Sequence, residues 1–248
     1  LENILQSSER IDDLLTHNLK IIQSRQVFSF SIDAVLLAHF ASIPKQGQII
    51  DLCTGNGVIP LLISVKTKAK IYGIDIQERL IDMANRSVEL NQLTDQIKLV
   101  HNDLKESTTI FGKGLFDLVT VNPPYLPIGG QDQNSNEHLA IARHEISTNL
   151  EEVLKTSHQL LKVGGRLAMV HRPFRLVEII ALFREYKIEP KRLRFVHPNS
   201  DKEANMILIE GTKGGGKELR VLPPVIVYDR QGEYSKELYQ IYYGDKDE

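Results

Sequence analysis

Between residues 48 and 210 short runs of β-branched and aliphatic residues alternate with longer stretches of helical period, and this alternation limits the fold more than any other feature. Strands are expected at 48–52, 71–74, 97–100, 116–121, 166–171, 193–197 and 205–210, with helices at 58–64, 77–91, 150–161 and 174–186. In 77–91, Leu80, Ile81, Ala84, Val88 and Leu90 cluster on one side, with Glu78, Arg79, Asp82, Arg86 and Glu89 largely opposite. Strands joined through helices of this length need crossover connections, so the expected class is α/β: a doubly wound, mostly parallel sheet covered on both faces. The last two strands are joined only by the polar link 198–204 and are placed to pair as an antiparallel hairpin at the sheet edge. Ahead of the first strand, 28–41 (FSFSIDAVLLAHFA) reads as a turn capped by Ser31 or Asp33 that runs into an apolar helix.

Composition narrows the class. A chain of 248 residues with 42% hydrophobic and 25% charged side chains can bury a full core, which excludes disordered and fibrous proteins. No window approaches the roughly 18 consecutive apolar residues of a membrane span, and the polar start LENILQSSERIDDLL is unlike a secretion signal, so a cytoplasmic protein is expected. Cys53 is the single cysteine, leaving no internal disulfide and no cysteine cluster for zinc. His138 and His144 are six apart, on different helix faces and without HExxH, so no metal is expected.

The segment 48–60, QIIDLCTGNGVIP, is a strand that ends in Gly55-x-Gly57 and passes directly into an apolar helix. Glycine there allows a tight turn and close approach of a ligand, at the strand end where open α/β sheets bind. A dinucleotide fingerprint would have glycine where Pro60 stands, and Asp51 suits a cationic ligand better than a phosphate. S-adenosylmethionine, with a positive amino acid group and no phosphate, fits. Asp75 ends the next strand, where a carboxylate accepts ribose hydroxyls, and Asp103 follows the third, placed for the adenine amino group.

The strand 116–121 runs into Asn122-Pro123-Pro124-Tyr125. The two prolines cannot continue a ladder and hold the loop rigid. An exocyclic amine such as that of adenine is a poor nucleophile because its lone pair is delocalised. The Asn122 side-chain oxygen and the Pro123 carbonyl can each accept one N–H and favour the tetrahedral amine, while Tyr125 stacks on the extruded base.

Taken together, DLCTGNG, GIDIQ, HNDL and VNPPY resemble the class I S-adenosylmethionine-dependent methyltransferases with an NPPY amine-methylating motif. FSFSIDAVLLA, the VGGR turn at 163–166 and KEANMILIEG look like the small-domain group related to the valine tRNA adenine methyltransferases, over roughly residues 9–211. The resemblance implies seven strands in the order 3-2-1-4-5-7-6 with the seventh antiparallel. It also implies a cofactor set of Asp51, Cys53, Gly55, Gly57, Asp75, Asp103 and Asn122, joined by Ser31 and Asp33 from a segment that closes over the cofactor. Base contacts would come from Asn122 and Tyr125. Cys53 stands where most of that class carry glycine.

The expected organisation is an N-terminal helical extension over 1–45 capping the cofactor site, a core over 46–211 and a tail over 212–248 packing on it. A glycine-rich turn at 211–217 is expected to be flexible, 127–136 to form a lid near the target base, and Tyr228, Tyr234, Tyr239, Tyr242 and Tyr243 to pack. Residues 166–194 hold eight Lys/Arg against three Asp/Glu, which makes Arg166, Arg172, Arg175, Lys191, Arg192 and Arg194 an RNA-contacting candidate surface against the alternative of a solvated face. The expected reaction is methyl transfer to an adenine amine in structured RNA, tRNA near the anticodon above others. Guanine amines in ribosomal RNA, DNA adenine, a release-factor glutamine amide and a non-catalytic RNA-binding module stay open. The roughly fifty residues before Asp51 are expected to be too few for the helical domain of release-factor enzymes, and no target-recognition domain for DNA is expected.

Overall fold

Alternate residues of the central strands bury on opposite sides of one sheet. In a computed structural model that describes residues 4–15, 17–24, 32–125 and 149–243, strand β3 (Gln48–Leu52) sends Ile49 into one apolar cluster and Ile50 and Leu52 into another. The two clusters are the two interfaces of a three-layer α/β fold.

The chain opens with a hairpin, β1 (Glu9–Asp13) and β2 (Lys20–Ser24), followed by helix α1 (Ile32–Phe40). After β3 come α2 (Val58–Ser64), β4 (Lys70–Asp75), α3 (Glu78–Leu90), β5 (Ile97–His101), α4 (Ser107–Phe111) and β6 (Phe116–Val121). The second half holds α5 (Leu150–Leu160), β7 (Leu161–His171), α6 (Leu176–Glu185), β8 (Ile188–His197), β9 (Met206–Lys213), β10 (Arg220–Val221), β11 (Val225–Ile226) and α7 (Lys236–Tyr243). The order β5-β4-β3-β6-β7-β9-β8 is the expected one, with β9 antiparallel to both neighbours. The tail adds β10 and β11, each parallel to β8 at the edge. Helices α1, α2, α3 and α7 cover one face and α5 and α6 the other.

Three expectations need correction. The first 45 residues are not purely helical, because a β-hairpin precedes α1 and packs on α3: the Ile22 N–H donates to Ser87 Oγ at 2.9 Å, and Arg86 forms a bidentate pair with Glu9 at 2.6 and 2.8 Å. That hairpin widens the buried stripe of α3 to include Met83 and Ser87, while Leu90 is only half-buried. The 211–217 segment is not a free turn. β9 runs to Lys213, whose ammonium donates to the carbonyls of His158 and Leu161, and a Cβ on Gly211 would meet Phe183 at 2.8 Å. The 163–166 turn is a bulge inside β7, since Phe116 pairs with Leu161 whereas Leu118 pairs with Arg166.

Tail tyrosines stack mainly on one another: Tyr228 on Tyr234 at 5.5 Å, Tyr234 on Tyr242 at 5.6 Å and Tyr239 on Tyr243 at 4.4 Å. No helix among the described residues is long and apolar enough to cross a membrane, and no group of three or more His, Cys, Asp or Glu among them is arranged to hold a metal.

Candidate active site

Parallel strands β3, β4, β5, β6 and β7 end on the same edge of the sheet, so every site residue expected at a strand end shares one rim. Between β3 and α2 the backbone is left-handed at three positions: Cys53 at φ +55°, Gly55 at +56° and Gly57 at +80°. Glycine is the residue that adopts such angles without strain, which accounts for two of the three. Space differs between the two glycines. A Cβ on Gly57 would press Ala84 and Leu99 at 3.2 Å, a packing requirement, whereas nothing lies within 4 Å of one on Gly55. The open side of Gly55 is where a ligand can reach the backbone.

Two carboxylates sit beneath this turn. Asp51 lies opposite Thr120 in the ladder and accepts its hydroxyl proton at 2.6 Å through Oδ1, while Oδ2 is buried without a partner. Burial pushes its carboxyl up to about 7, with the Thr120 and then the Thr54 hydroxyl holding it back and the neighbouring Asp75 charge adding to the rise. An unpartnered buried carboxylate oxygen calls for a donor, best a cationic one. Asp75 is a clamp: Oδ2 accepts the Gly55 N–H at 2.8 Å and Oδ1 the Gln77 N–H at 2.9 Å. Burial raises its pKa against the pull of those two N–H groups. Each oxygen keeps further lone-pair capacity for a ligand hydroxyl. Asp103 caps the short turn that follows β5, accepting the Lys105 N–H at 2.9 Å and pairing with its ammonium at 3.1 Å. The Asn56 amide nitrogen is a second buried orphan in the turn. Orphaned Asp51, the open face of Gly55 and the Asp75 clamp together suit a ligand with a cationic head and a diol.

The prolines turn the chain off β6 and bring Tyr125 back over Asn122, whose amide oxygen accepts the Tyr125 hydroxyl proton. The same hydroxyl reaches Asp33 Oδ2 at 2.7 Å. Asp33 sits within the first turn of α1 rather than capping it, and its carboxylate reaches this loop. Ser31 and the 127–136 loop lie outside the described residues, as do His138 and His144. The Tyr125 ring meets the His171 ring edge-on at 5.2 Å, and the Arg172 guanidinium carbon stands 4.8 Å from its centroid. His171 Nδ1 accepts the Arg172 N–H at 2.8 Å, so the ring is neutral with its proton on Nε2. Burial and the charge of Arg175 push its pKa down to about 4.

The basic stretch does not make one surface. Arg192 is an internal strut: it donates to the Phe40 carbonyl at 2.8 Å, pairs with buried Glu210 at 3.4 Å and stacks on the Phe40 ring. Arg194 ties down the tail through Glu237 at 2.6 Å and the Pro223 carbonyl at 2.7 Å. Arg175 pairs with Glu178, and Lys191 donates to the Gly216 carbonyl. Arg166 lies beside Ser42, five residues down β7 from the rim, while Arg172 lies at the rim and donates to the Asn205 carbonyl at 2.9 Å. Alternation along β8 explains the outcome, because Arg192 and Arg194 share the face covered by α1 and α7 and are spent holding those helices. Sequence reasoning missed His171, Thr120 and Gly73, the last because a Cβ there would meet Leu99 at 2.6 Å and Thr54 at 3.0 Å. Only ladder register, which places Gly73 and Thr120 on either side of Asp51, signals the latter two.

Residues 18–195 match the methyltransferase small domain family. Among curated proteins, a tRNA1(Val) (adenine(37)-N6)-methyltransferase of Photobacterium profundum is 26% identical over 83% of this chain and 85% of its own length. One of the same name from Parabacteroides distasonis is 30% identical over 72% and 74%. Among solved structures, a predicted O-methyltransferase of Agrobacterium tumefaciens superposes with a TM-score of 0.67 at 22% identity, over 86% of this chain and 96% of that one. A geranyl diphosphate C-methyltransferase of Streptomyces coelicolor, holding S-adenosyl-L-homocysteine, gives a TM-score of 0.57 at 12% identity over 73% and 78%. At these identities the solved structures speak to the fold alone.

Proposed function

The chain belongs to the methyltransferase small domain family, and on that premise we propose that it transfers the methyl group of S-adenosyl-L-methionine to the exocyclic N6 amine of an adenine in tRNA, at the anticodon loop. The observation that carries the reading is the meeting, on one rim, of an orphaned buried carboxylate and open glycine turn with an amide oxygen on a proline-stiffened loop. The relatives' named activity supports adenine in tRNA as the acceptor.

Bound at this rim, the cofactor supplies an electrophilic sulfonium methyl. Asp51 offers its unpartnered Oδ2 to the cationic amino acid end, and Asp75 accepts from the ribose hydroxyls while keeping Gly55 in place. Asp103 stands at the end of β5, next along the sheet, for the adenine of the cofactor. Asn122 and the Pro123 carbonyl accept the two N–H bonds of the target amine and favour its tetrahedral form, which frees the lone pair for attack. With the cofactor held there, the freed lone pair would take the methyl as the carbon–sulfur pair returned to sulfur, and the proton shed by the amine would pass to solvent. Tyr125 presents its ring to the base, a contact worth about 1–3 kcal/mol. Arg172, beside that ring, is the basic residue of the expected six that remains at the site for the RNA backbone.

The test is to incubate the protein with total tRNA and methyl-labelled cofactor and to digest for nucleoside mass spectrometry. Labelled N6-methyladenosine, mapped to the anticodon loop of one tRNA, is the expected result. Label in a guanosine, or in a protein glutamine with the tRNA unlabelled, overturns it.

A further inference from the structure

The Tyr125 hydroxyl has one proton and two acceptors in reach, Asp33 Oδ2 at 2.7 Å and the Asn122 amide oxygen. The second is the atom that must accept the target amine in the reaction proposed above, so hydroxyl and amine compete for it. From this geometry we propose that Asp33 is a positioning residue: its carboxylate competes with Asn122 for the Tyr125 hydroxyl hydrogen bond, draws it away when the target amine arrives and fixes the ring against which the target base stacks. The proposal rests on the methyltransferase reading for its consequence in catalysis, and on the contact alone for its structural content.

The preference for Asp33 follows from acceptor strength, since a carboxylate accepts a hydroxyl proton more strongly than an amide oxygen does. Asp33 is 92 residues from Tyr125 and almost fully buried at the start of α1. A helix start on the same apolar face as the β6 and β7 rim thus reaches the catalytic loop. Once the hydroxyl is anchored, the ring is fixed on two further sides by the His171 edge and the Arg172 guanidinium. His171 offers the phenol no acceptor, because its one lone pair is taken by the Arg172 N–H and its Nε2–H is buried without a partner. With Asp33 removed, Asn122 is the remaining acceptor of that proton among the described residues, and the amine must then displace it. The titratable and charged groups around the phenol are Asp33, Arg172 and His171, with Tyr242 also feeling the Asp33 charge.

Two measurements on the full chain test this. Tyrosines labelled with carbon-13 at Cζ report phenol ionisation, and the Tyr125 signal is the one lost in Tyr125→Phe. It is expected to titrate above the ordinary value of about 10, and Asp33→Asn, which keeps the shape and removes the charge, should lower its midpoint by roughly one pH unit or more. An unmoved midpoint overturns the proposal whether or not RNA is methylated. The second measurement is single-turnover methyl transfer to tRNA at saturating cofactor. Asp33→Ala should slow it about tenfold or more, and adding Tyr125→Phe should return the rate to that of Tyr125→Phe alone, because no hydroxyl is left to cap Asn122. Losses that multiply in the double variant overturn it. If the unaltered protein leaves tRNA unmethylated, the proposed function fails and the carbon-13 titration still decides the contact.

Discussion

On the β3–β4 side of the rim the ligand-facing groups are held mainly by main chain: the Gly55 and Gln77 N–H groups grip Asp75 and the left-handed turn sets the distance of approach, with the Thr120 hydroxyl a side-chain hold on Asp51. On the β6–β7 side they are held by side chains from distant parts of the chain. Asp33 comes from α1, Asn122 and Tyr125 from the loop after β6, and His171 and Arg172 from the end of β7. The first arrangement fixes a ligand in one place at little entropic cost when it binds. The second leaves a ring and a hydroxyl with alternative partners, which suits a site that admits a large, flexible acceptor. The difference predicts that damage on the β6–β7 side shows in turnover and damage on the β3–β4 side in cofactor affinity.

The sharpest break in that division would come from Asn122→Ala. Removing one pre-aimed acceptor of a developing charge typically costs 10²–10³ in rate, about 2.7–4 kcal/mol, and cofactor affinity by calorimetry should stay within twofold. A comparable loss of affinity would show that the two sides are one unit. Asp75→Ala is expected to do the converse, weakening cofactor binding by about 1.5–3 kcal/mol through the loss of charged hydrogen bonds, with turnover at saturating cofactor largely kept. Part of that loss reflects release of Gly55, and partial recovery in Asp75→Glu would separate charge from position.

Asp51 gives the comparison a pH axis. Its carboxyl is raised from 3.8 to about 7, chiefly by burial, so the native protein holds a proton that the unfolded chain has already released. Native stability without cofactor therefore falls as pH climbs from about 4 to 7, by up to about 1.4 kcal/mol per pH unit, and levels off above. Urea midpoints at pH 5, 6, 7 and 8 should trace that slope, and Asp51→Asn should flatten it. A cofactor that offers a cation to Oδ2 favours the ionised carboxyl, so its affinity should rise through the same window. Affinity that is level with pH would remove the cationic head from this oxygen.

How much of this was legible in the sequence follows the same line. The glycine turn, its acids and Asn122–Tyr125 are local patterns, in which strand, turn and functional residue lie within a dozen positions; period and crossover length give a mostly parallel, covered sheet, while the strand order is what the resemblance implies. Asp33 shows the limit. Its place at a helix start was visible, but its partner is 92 residues away, and only packing of α1 on the rim brings the two together. The arginines show the opposite error. Lys and Arg crowded along 166–194 look like one surface, yet strand alternation turns Arg192 and Arg194 inward onto α1 and α7, where Glu210 and Glu237 neutralise them. Hairpin β1–β2 escaped notice because each strand is five residues long and ERIDD sets a single apolar residue among four charged ones, so no apolar run marks it.

The smallest effect falls where the main-chain side departs from its own rule. Cys53 holds φ +55° without being glycine, at the position where the resembling class mostly has glycine. A left-handed angle costs an L-residue about 1–2 kcal/mol, and glycine would relieve it while losing about 0.5–1 kcal/mol to the entropy of the unfolded chain and the contacts of the half-buried thiol. Cys53→Gly should therefore raise the urea midpoint by an increment worth less than about 1 kcal/mol, and Cys53→Val, β-branched at the same angle, should lower it by more than Cys53→Ala does. The thiol has no reactive role to lose, since burial and then the charges of Asp75, Asp51 and Asp103 push its pKa well above the ordinary value and keep it protonated. If Cys53→Gly instead lowers the midpoint, the packing of Cys53 against the β3 and β6 cluster outweighs the strain, and side-chain contact holds this turn as well as backbone geometry.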